Sequence, residues 1–244
     1  MHYRNVIFDL YGTLVDIRTD ETLPALWSAM ADWYRNHGAV CDAVELCEGY
    51  HTFVAREQAR VRQALPGIAE IDIEIGNVFE ALFREKGVRA DNCLIAETAL
   101  RFRRLSTLRL RLYEGVTELL DALRGQGRRI FLLTNAQRLF TMPELQALGL
   151  ADRFDGISIS SDSRICKPEA AFFRTILDRY DLDPRRTLMV GNDGYADIGG
   201  ARAVGLYGLY IHQAISPEVP ADMDAVYRVM DGDVRKAAAW ILAH

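Results

Sequence analysis

Residues 6–16 have the sequence VIFDLYGTLVD, and this stretch decides the fold of the chain. Its apolar start ends abruptly at Asp9 and is followed by a polar turn that contains a glycine. A short apolar run bounded by a turn predicts a buried strand of a parallel sheet. Ligands of open α/β sheets bind beyond the carboxyl ends of the strands. We therefore predict strand one over residues 5–10, with Asp9 delivered to a site at that edge.

The composition excludes several classes of function. The chain has 244 residues, of which 26% are charged, and a formal net charge of -5, so we expect neither nucleic acid nor a membrane surface as a partner. No apolar stretch has the length needed to span a bilayer. The four cysteines are scattered and show no metal-binding spacing, which predicts reduced thiols in a cytoplasmic protein.

The segment after strand one has a helical pattern. From Val15 to about Leu105, apolar residues recur at spacings of three and four, and no convincing strand interrupts them. We predict an all-helical insertion over residues 16–105, which separates residues 1–15 from residues 106–244.

Strands and helices alternate in the remainder of the chain. Strands are predicted at 129–134, 156–160, 187–191 and 207–212, and helices at 115–123, 143–148, 169–180, 197–204 and 234–242. Repeated βα units predict an α/β fold, a doubly wound parallel sheet with helices on both faces. Numbered along this core, we expect the strand order 3-2-1-4-5, with strand one in the centre.

Polar residues follow several of these predicted strands. They are Thr134 and Asn135 after the second strand, Lys167 before a helix, and Asp193 and Asp197 after the fourth strand. Parallel strands would bring them to the same edge as Asp9. Carboxylates there suit Mg²⁺, a hydroxyl and an ammonium suit phosphate, and Asp9 can act as the nucleophile that forms an acyl-phosphate.

Each of these residues also has an ordinary structural explanation. Thr134 alone fits a turn or a helix N-cap, Lys167 a surface lysine, and Asp197 an acid in the first turn of a helix. Four such features in order along the chain, each at a strand end, favour a common site.

Four motifs resemble the haloacid dehalogenase-like hydrolase superfamily. They are FDLYGTLVD around Asp9, LLTN at Thr134, ICKPEAAFF at Lys167, and VGNDGYADIGGARAVGL over residues 190–206. The resemblance implies a Rossmann-like core with Asp9 as nucleophile and with Thr134 and Lys167 as further catalytic residues. The inserted helices resemble the helical cap of the C1 type, a lid that excludes water.

The resemblance also implies a ligand set. Mg²⁺ would be held by Asp9, the Tyr11 carbonyl, Asp193 and Asp197, and the substrate would contact Tyr11, Thr13 and Asn135. Asn192 directly follows the glycine where many members of the family have aspartate. Either Asp193 and Asp197 form the usual acidic pair, or Asn192 occupies the first ligand position and weakens metal binding.

Tyr11 is a second departure, because phosphatases of this superfamily usually have an aspartate there as general acid. Haloacid dehalogenases do have a tyrosine, since halide leaves without a proton. They also tend to have a tyrosine where this chain has Phe173, and a cap arginine after a tryptophan, whereas Trp27 is followed by Ser28. The motifs therefore point in two directions.

Three functions remain open. The first is a Mg²⁺-dependent phosphatase of a small phosphorylated metabolite, the second a metal-independent 2-haloacid dehalogenase, and the third a binding protein of this fold with little turnover. Several arginines of the insertion either face the cleft or form solvated helix surfaces. They are Arg18, Arg56, Arg60, Arg62, Arg101, Arg103 and Arg104.

Overall fold

The computed structural model describes residues 3–244. Its strands are β1 (Asn5–Phe8), β2 (Val15–Thr19), β3 (Thr107–Leu112), β4 (Arg129–Thr134), β5 (Gly156–Ile159), β6 (Thr187–Gly191), β7 (Tyr207–Ile211) and β8 (Tyr227–Val229). Its helices are α1 (Pro24–Asn36), α2 (Ala43–Ala64), α3 (Ile75–Glu85), α4 (Asn92–Ser106), α5 (Val116–Gly125), α6 (Arg138–Ala147), α7 (Ser160–Ser163), α8 (Ala170–Tyr180), α9 (Gly200–Ala203) and α10 (Val234–Ala243). A 3₁₀ turn (Pro184–Arg186) precedes β6, and a π-helical turn (Gly194–Gly199) precedes α9.

Six strands form one parallel sheet in the order β5-β4-β1-β6-β7-β8. Numbered along the core, this is the predicted order 3-2-1-4-5 with one further strand at the edge. The central place of β1 and the doubly wound, Rossmann-like α/β fold are confirmed. β1 is shorter than predicted and ends at Phe8, so Asp9 already lies beyond the last paired residue.

The two faces of the sheet have separate cores. Val6 and its neighbours on β4 and β6 pack with α5 and α10, whereas Ile7 and its neighbours pack with α8 and α9. All four residues of β1 are buried, because helices cover both faces. The long apolar run that predicted this strand reflects that double burial.

Residues 24–106 form a helical insertion of four helices, α1 to α4, with its own apolar core. Phe140 of α6 joins this core and is 6.2 Å, between ring centroids, from Phe102 of α4. The insertion is attached to the sheet through an antiparallel ribbon of β2 and β3. Among residues 3–244, no helix has the length and apolar character that crossing a membrane requires.

The prediction of an all-helical segment over residues 16–105 is wrong at its start, because residues 16–19 belong to β2. The predicted helix at 197–204 is also corrected. The chain there forms the π-helical turn from Gly194 and then the short helix α9. β8, with three residues, was not predicted; so short a strand gives little periodicity to detect.

Candidate active site

The loop after β1 holds Asp9 at the carboxyl edge of the sheet. The Asp9 amide donates to the Val190 carbonyl at 2.9 Å, and Asp9 as a whole residue is only 7% exposed. Gly12 has a φ of +85°, and a Cβ at this position would overlap the side chain of Asn192. Glycine therefore allows both the left-handed turn and the close approach of the two loops.

Lys167 lies between two buried carboxylates. Its Nζ is 2.7 Å from Asp9 Oδ1 and 2.7 Å from Asp197 Oδ1. Burial alone would lower the pKa of the Lys167 ammonium, but the attraction of Asp197 and Asp9 outweighs it and raises that pKa. Burial raises the pKa of Asp197 to about 7, against the opposing effect of Lys167. We call Asp9, Lys167 and Asp197 the lysine cluster.

Asn135 fixes the loop that presents this lysine. The Lys167 amide donates to Asn135 Oδ1 at 2.8 Å, and Asn135 Nδ2 donates to the Lys167 carbonyl at 3.1 Å. Asn135 thus positions Lys167, and its side chain is engaged on both sides.

Thr134 lies directly before Asn135 at the end of β4, and the Thr134 hydroxyl is buried. Within residues 3–244, this hydroxyl is the one buried side-chain polar atom that has no hydrogen-bond partner. Such a group costs free energy unless an acceptor completes it. The site therefore has an unused donor next to the loop of Lys167.

The side chains of Asn192 and Asp193, the two candidate residues after β6, point to different places. The Thr13 hydroxyl is 3.0 Å from Asp9 Oδ2 and 3.3 Å from Asn192 Oδ1, so both oxygens converge on one atom. Asp193 Oδ1 instead accepts from the amides of Tyr195 and Ala196 and caps the π-helical turn.

Asp197 reaches the cluster because of Gly191. A Cβ on this glycine, the last residue of β6, would overlap the Asp197 carboxylate. The second oxygen of that carboxylate accepts from the Asp193 amide at 3.0 Å. Asp197 thereby orients the lysine.

Tyr11 is held by residues that were not predicted together. Its hydroxyl donates a short hydrogen bond to Glu144 of α6 and approaches Thr141 Oγ1 at 3.3 Å. Arg103 of α4 donates to Glu144 Oε1 at 2.6 Å, and its guanidinium lies 5.6 Å from the Tyr11 ring centroid. We call Tyr11, Arg103 and Glu144 the tyrosine cluster.

Burial and the neighbouring Glu144 raise the pKa of the Tyr11 phenol above its ordinary value. The phenol therefore keeps its proton and donates it in the hydrogen bond to Glu144. Arg103 is largely buried, so it does not belong to a solvated helix surface. Glu144 has no distinguishing signal in the sequence, where it is one acid on an amphipathic helix.

A second contact joins the insertion to the lysine loop. The Cys166 amide donates to the Glu70 carbonyl at 2.9 Å, and the Asp72 amide donates to the Arg164 carbonyl at 3.0 Å. The Asp72 carboxylate accepts from Gln137 Nε2 at 2.8 Å and from the Ser160 hydroxyl. This contact includes the residue directly before Lys167 and closes the insertion over that loop.

The oxygen atoms near Asp9 determine which ligands a bound cation would have. Among the described residues, no group of three or more histidine, cysteine or acidic side chains is arranged to hold a metal ion. The convergent oxygens of Asp9 and Asn192 are one carboxylate and one amide. Mg²⁺ accepts such a set, since it is often bound through one or two carboxylates and completed by water and phosphate. The set fits Mg²⁺, but as a weak site.

Comparison with known proteins assigns this chain to a family. The profile of the haloacid dehalogenase-like hydrolases matches residues 3–205. Phosphoserine phosphatase of Thermus thermophilus is 29% identical over 187 residues, which cover 75% of this chain and 72% of that protein.

Solved structures show the same fold. The 2-haloacid dehalogenase of Pseudomonas syringae pv. Tomato DC3000 superposes with a TM-score of 0.66 at 21% identity, over 98% of each chain. The HAD phosphatase of Thermococcus onnurineus superposes with a TM-score of 0.60 at 20% identity, over 96% of this chain and 97% of that one. With its profile match and its site at the carboxyl edge of the sheet, the chain belongs to the haloacid dehalogenase-like hydrolases and is an enzyme of the hydrolase class.

Proposed function

We propose that this hydrolase is a Mg²⁺-dependent phosphatase of a small phosphorylated metabolite, with Asp9 as the nucleophile. The observation that carries the proposal is the buried, unpartnered hydroxyl of Thr134 beside the Lys167 loop. A phosphate oxygen is an acceptor of the kind that this hydroxyl lacks, and Lys167 brings a compact positive charge. The phosphatase named among the relatives supports the same substrate class.

Asp9 would attack the phosphorus atom through one carboxylate oxygen. The bond from phosphorus to the ester oxygen breaks, the leaving group departs with that electron pair, and an aspartyl-phosphate forms. Water then attacks the phosphorus and releases phosphate from Asp9. Thr13 and Lys167, which hold the carboxylate through both oxygens, aim it and compensate its charge.

A bound Mg²⁺ would compensate negative charge on the phosphate. We assign its protein ligands to Asp9, the Tyr11 carbonyl and Asn192. Asp193 and Asp197 were the other expected ligands. Since Asp193 caps a turn and Asp197 binds Lys167, we give them supporting roles instead.

Tyr11 limits the substrates. Its phenol donates to Glu144 and so has no proton directed at a leaving group. A missing general acid typically costs about 10²–10⁴-fold when the leaving group is a poor one. We therefore expect aryl, acyl or enol phosphates to react much faster than alkyl phosphates.

The helical insertion would serve as the lid. Residues 1–15 and 106–244 form the core in this proposal, and the insertion contributes Arg103 above Tyr11 and the Asp72 contact beside Lys167. A closed lid excludes water and strengthens the electrostatic interactions at Asp9.

The deciding experiment is a panel of substrates measured with Mg²⁺ and with EDTA. We expect 4-nitrophenyl phosphate to be hydrolysed in a Mg²⁺-dependent reaction, and glycerol phosphate far more slowly. Asp9→Asn should reduce kcat/KM by at least about 10³-fold, because the nucleophile is lost. The exposed Asp32→Asn is the matched control. Retained activity in Asp9→Asn would exclude the mechanism.

The 2-haloacid dehalogenase is the second candidate, and Tyr11 is the observation that favours it. Halide needs no proton, and the Thr13 hydroxyl and the Lys167 ammonium orient the Asp9 carboxylate. Turnover of 2-chloropropionate in EDTA, with no hydrolysis of any phosphate, would select this alternative.

A further inference from the structure

A second group of cationic side chains lies where the parallel strands begin, at the edge of the sheet opposite the catalytic one. The Arg4 amide donates to the Arg186 carbonyl at 2.9 Å, and the Arg129 amide donates to the Arg4 carbonyl at 3.0 Å. Both bonds lie at the start of β1, where Asn5 pairs with Arg129 of β4 and with Thr187 of β6.

Three arginines come directly before these neighbouring strands. Arg4 precedes β1, Arg128 precedes β4, and Arg186, the last residue of the 3₁₀ turn, precedes β6. We call these three residues the arginine group. Neighbouring strands are about 4.8 Å apart. Three guanidinium groups are therefore anchored within about two strand spacings, where like charges repel.

None of these three arginines forms an ion pair with a carboxylate of residues 3–244. The arginines that do form ion pairs lie elsewhere in the described chain. Arg128 is buried and donates to the carbonyls of Ile241 and Leu242 at the end of α10. Arg4 and Arg186 are exposed beside it.

The arginine group borders a cavity of about 970 Å³. Four arginines line this cavity, the three of the arginine group and Arg129, against two aspartates, Asp181 and Asp183. Asp183 already caps the 3₁₀ turn by accepting from the Arg185 amide at 2.9 Å. The lining therefore has an excess of positive charge, although the whole chain has a net charge of -5.

We propose that this cavity binds a small multivalent anion with phosphate groups, held by Arg4 and Arg186 above the buried Arg128. The planar fork of arginine matches phosphate oxygens in pairs, and several such contacts favour a diphosphate over a monovalent anion. The cavity is separate from the catalytic edge. Arg4 and Asp9 are five residue steps apart along extended chain, which corresponds to about 16 Å. The site therefore does not depend on the proposed phosphatase activity.

The test is calorimetric titration of the full chain with methylenediphosphonate, a diphosphate analogue that is not hydrolysed, in EDTA. Arg4→Gln with Arg186→Gln is compared with wild type and with a control, Arg62→Gln with Arg89→Gln, which removes the same charge from exposed positions of the insertion. We expect the control to bind as wild type does. The affinity of the Arg4/Arg186 variant should fall at least about tenfold, because two charge-assisted contacts are lost.

Three further measurements serve as controls for the titration. The kcat/KM for 4-nitrophenyl phosphate should be unchanged in the Arg4/Arg186 variant, since both side chains are remote from Asp9. If that double variant does not fold, Arg4→Gln and Arg186→Gln are measured singly, and each should weaken binding. Wild-type affinity should also fall steeply as the salt concentration rises. Equal affinity in all three proteins, or no binding to wild type at millimolar concentrations, would overturn the proposal.

Discussion

The lysine cluster and the tyrosine cluster lie on either side of one short loop but differ in their charge balance. In the lysine cluster, two buried carboxylates share a single ammonium. In the tyrosine cluster, one carboxylate has both a guanidinium and a phenol as donors. Charge is therefore left uncompensated next to Asp9 and is balanced at Tyr11.

This difference assigns different tasks to Asp9 and Tyr11. The excess of negative charge in the lysine cluster leaves a carboxylate available for reaction or for a cation. Burial of Asp197 in the same cluster raises the pKa of its carboxyl group. A balanced, hydrogen-bonded group such as Glu144 with Arg103 and Tyr11 is suited to fixing geometry between α6 and the insertion. Four predictions examine this contrast, in order of decreasing effect.

The largest effect should come from removing the cation of each cluster. Lys167→Met leaves two carboxylates buried without a cationic partner, and breaking a buried pair in this way costs about 3–5 kcal/mol of unfolding free energy. Arg103→Met should cost roughly half of that, because Glu144 keeps the Tyr11 donor. Urea denaturation would give both values, with the exposed Arg35→Met expected to change stability by less than about 1 kcal/mol.

A double variant separates charge from packing in the first result. Asp197→Asn in the Lys167→Met background removes one of the two unpaired carboxylates, so part of the lost stability should return. Equal losses for Lys167→Met and Arg103→Met, with no recovery, would show that the clusters differ in composition but not in energy.

A smaller effect is expected from adding a carboxylate to the lysine cluster. Asn192→Asp places an acid where Asn192 Oδ1 now converges with Asp9 Oδ2 on Thr13. A second carboxylate strengthens Mg²⁺ binding, and we expect the Kd to fall by about tenfold, which corresponds to about 1.4 kcal/mol. Titration of Mg²⁺ measures this directly. Asp193→Asn is the comparison, and a larger change there would assign the ligand to Asp193.

Part of the candidate active site was accessible from sequence because several of its residues lie at the ends of strands. Where a buried apolar run breaks at Asp9, Thr134 or Asn192, the polar residue is conspicuous, and the parallel sheet brings these breaks to one edge. Nothing local, however, distinguishes Asn192 from Asp193. That choice depends on how the turn after β6 winds, and the π-helical turn directs Asp193 to its own amides.

The tyrosine cluster was not accessible in the same way. Arg103 and Glu144 lie on helices, where a polar residue on one turn looks like any solvated position. The ribbon of β2 and β3 was missed because its two strands are far apart in the chain, and pairing over that separation leaves no local periodicity in β2. The alternating leucines and arginines of β3, TLRLRL, did carry a strand signal, although no strand was predicted between the helical insertion and residue 115.

Removing the Tyr11 hydroxyl should change activity little. Tyr11→Phe removes the donor to Glu144 but keeps the ring beneath Arg103. We expect kcat/KM for 4-nitrophenyl phosphate to stay within about threefold of wild type, because a true general acid would cost about 10²–10⁴-fold. Tyr11→Asp should instead speed glycerol phosphate hydrolysis more than aryl hydrolysis. A large loss in Tyr11→Phe would make the phenol a proton donor.

The smallest effect concerns Asp72, a half-buried residue of the insertion. Its carboxylate accepts only from neutral donors, whereas Glu144 accepts from Arg103. Burial raises the pKa of Asp72, against the opposing effect of the Ser160, Ile73 and Gln137 donors. The folded protein therefore holds this proton more tightly than the unfolded chain, whose aspartates titrate near pH 3.9. As pH rises from that value through the raised pKa, the unfolding free energy should fall, and above it the contribution is constant.

Asp72→Asn removes the titration, while the oxygen of the substituted side chain can still accept from Gln137 and from the Ile73 amide. The wild-type curve of unfolding free energy against pH should therefore decline more steeply than the variant's curve between about pH 4 and neutrality. Thermal unfolding at a series of pH values gives both curves, and their difference isolates this one group. Parallel curves would mean that the carboxylate is solvated, and that the insertion is not closed on the lysine loop in solution.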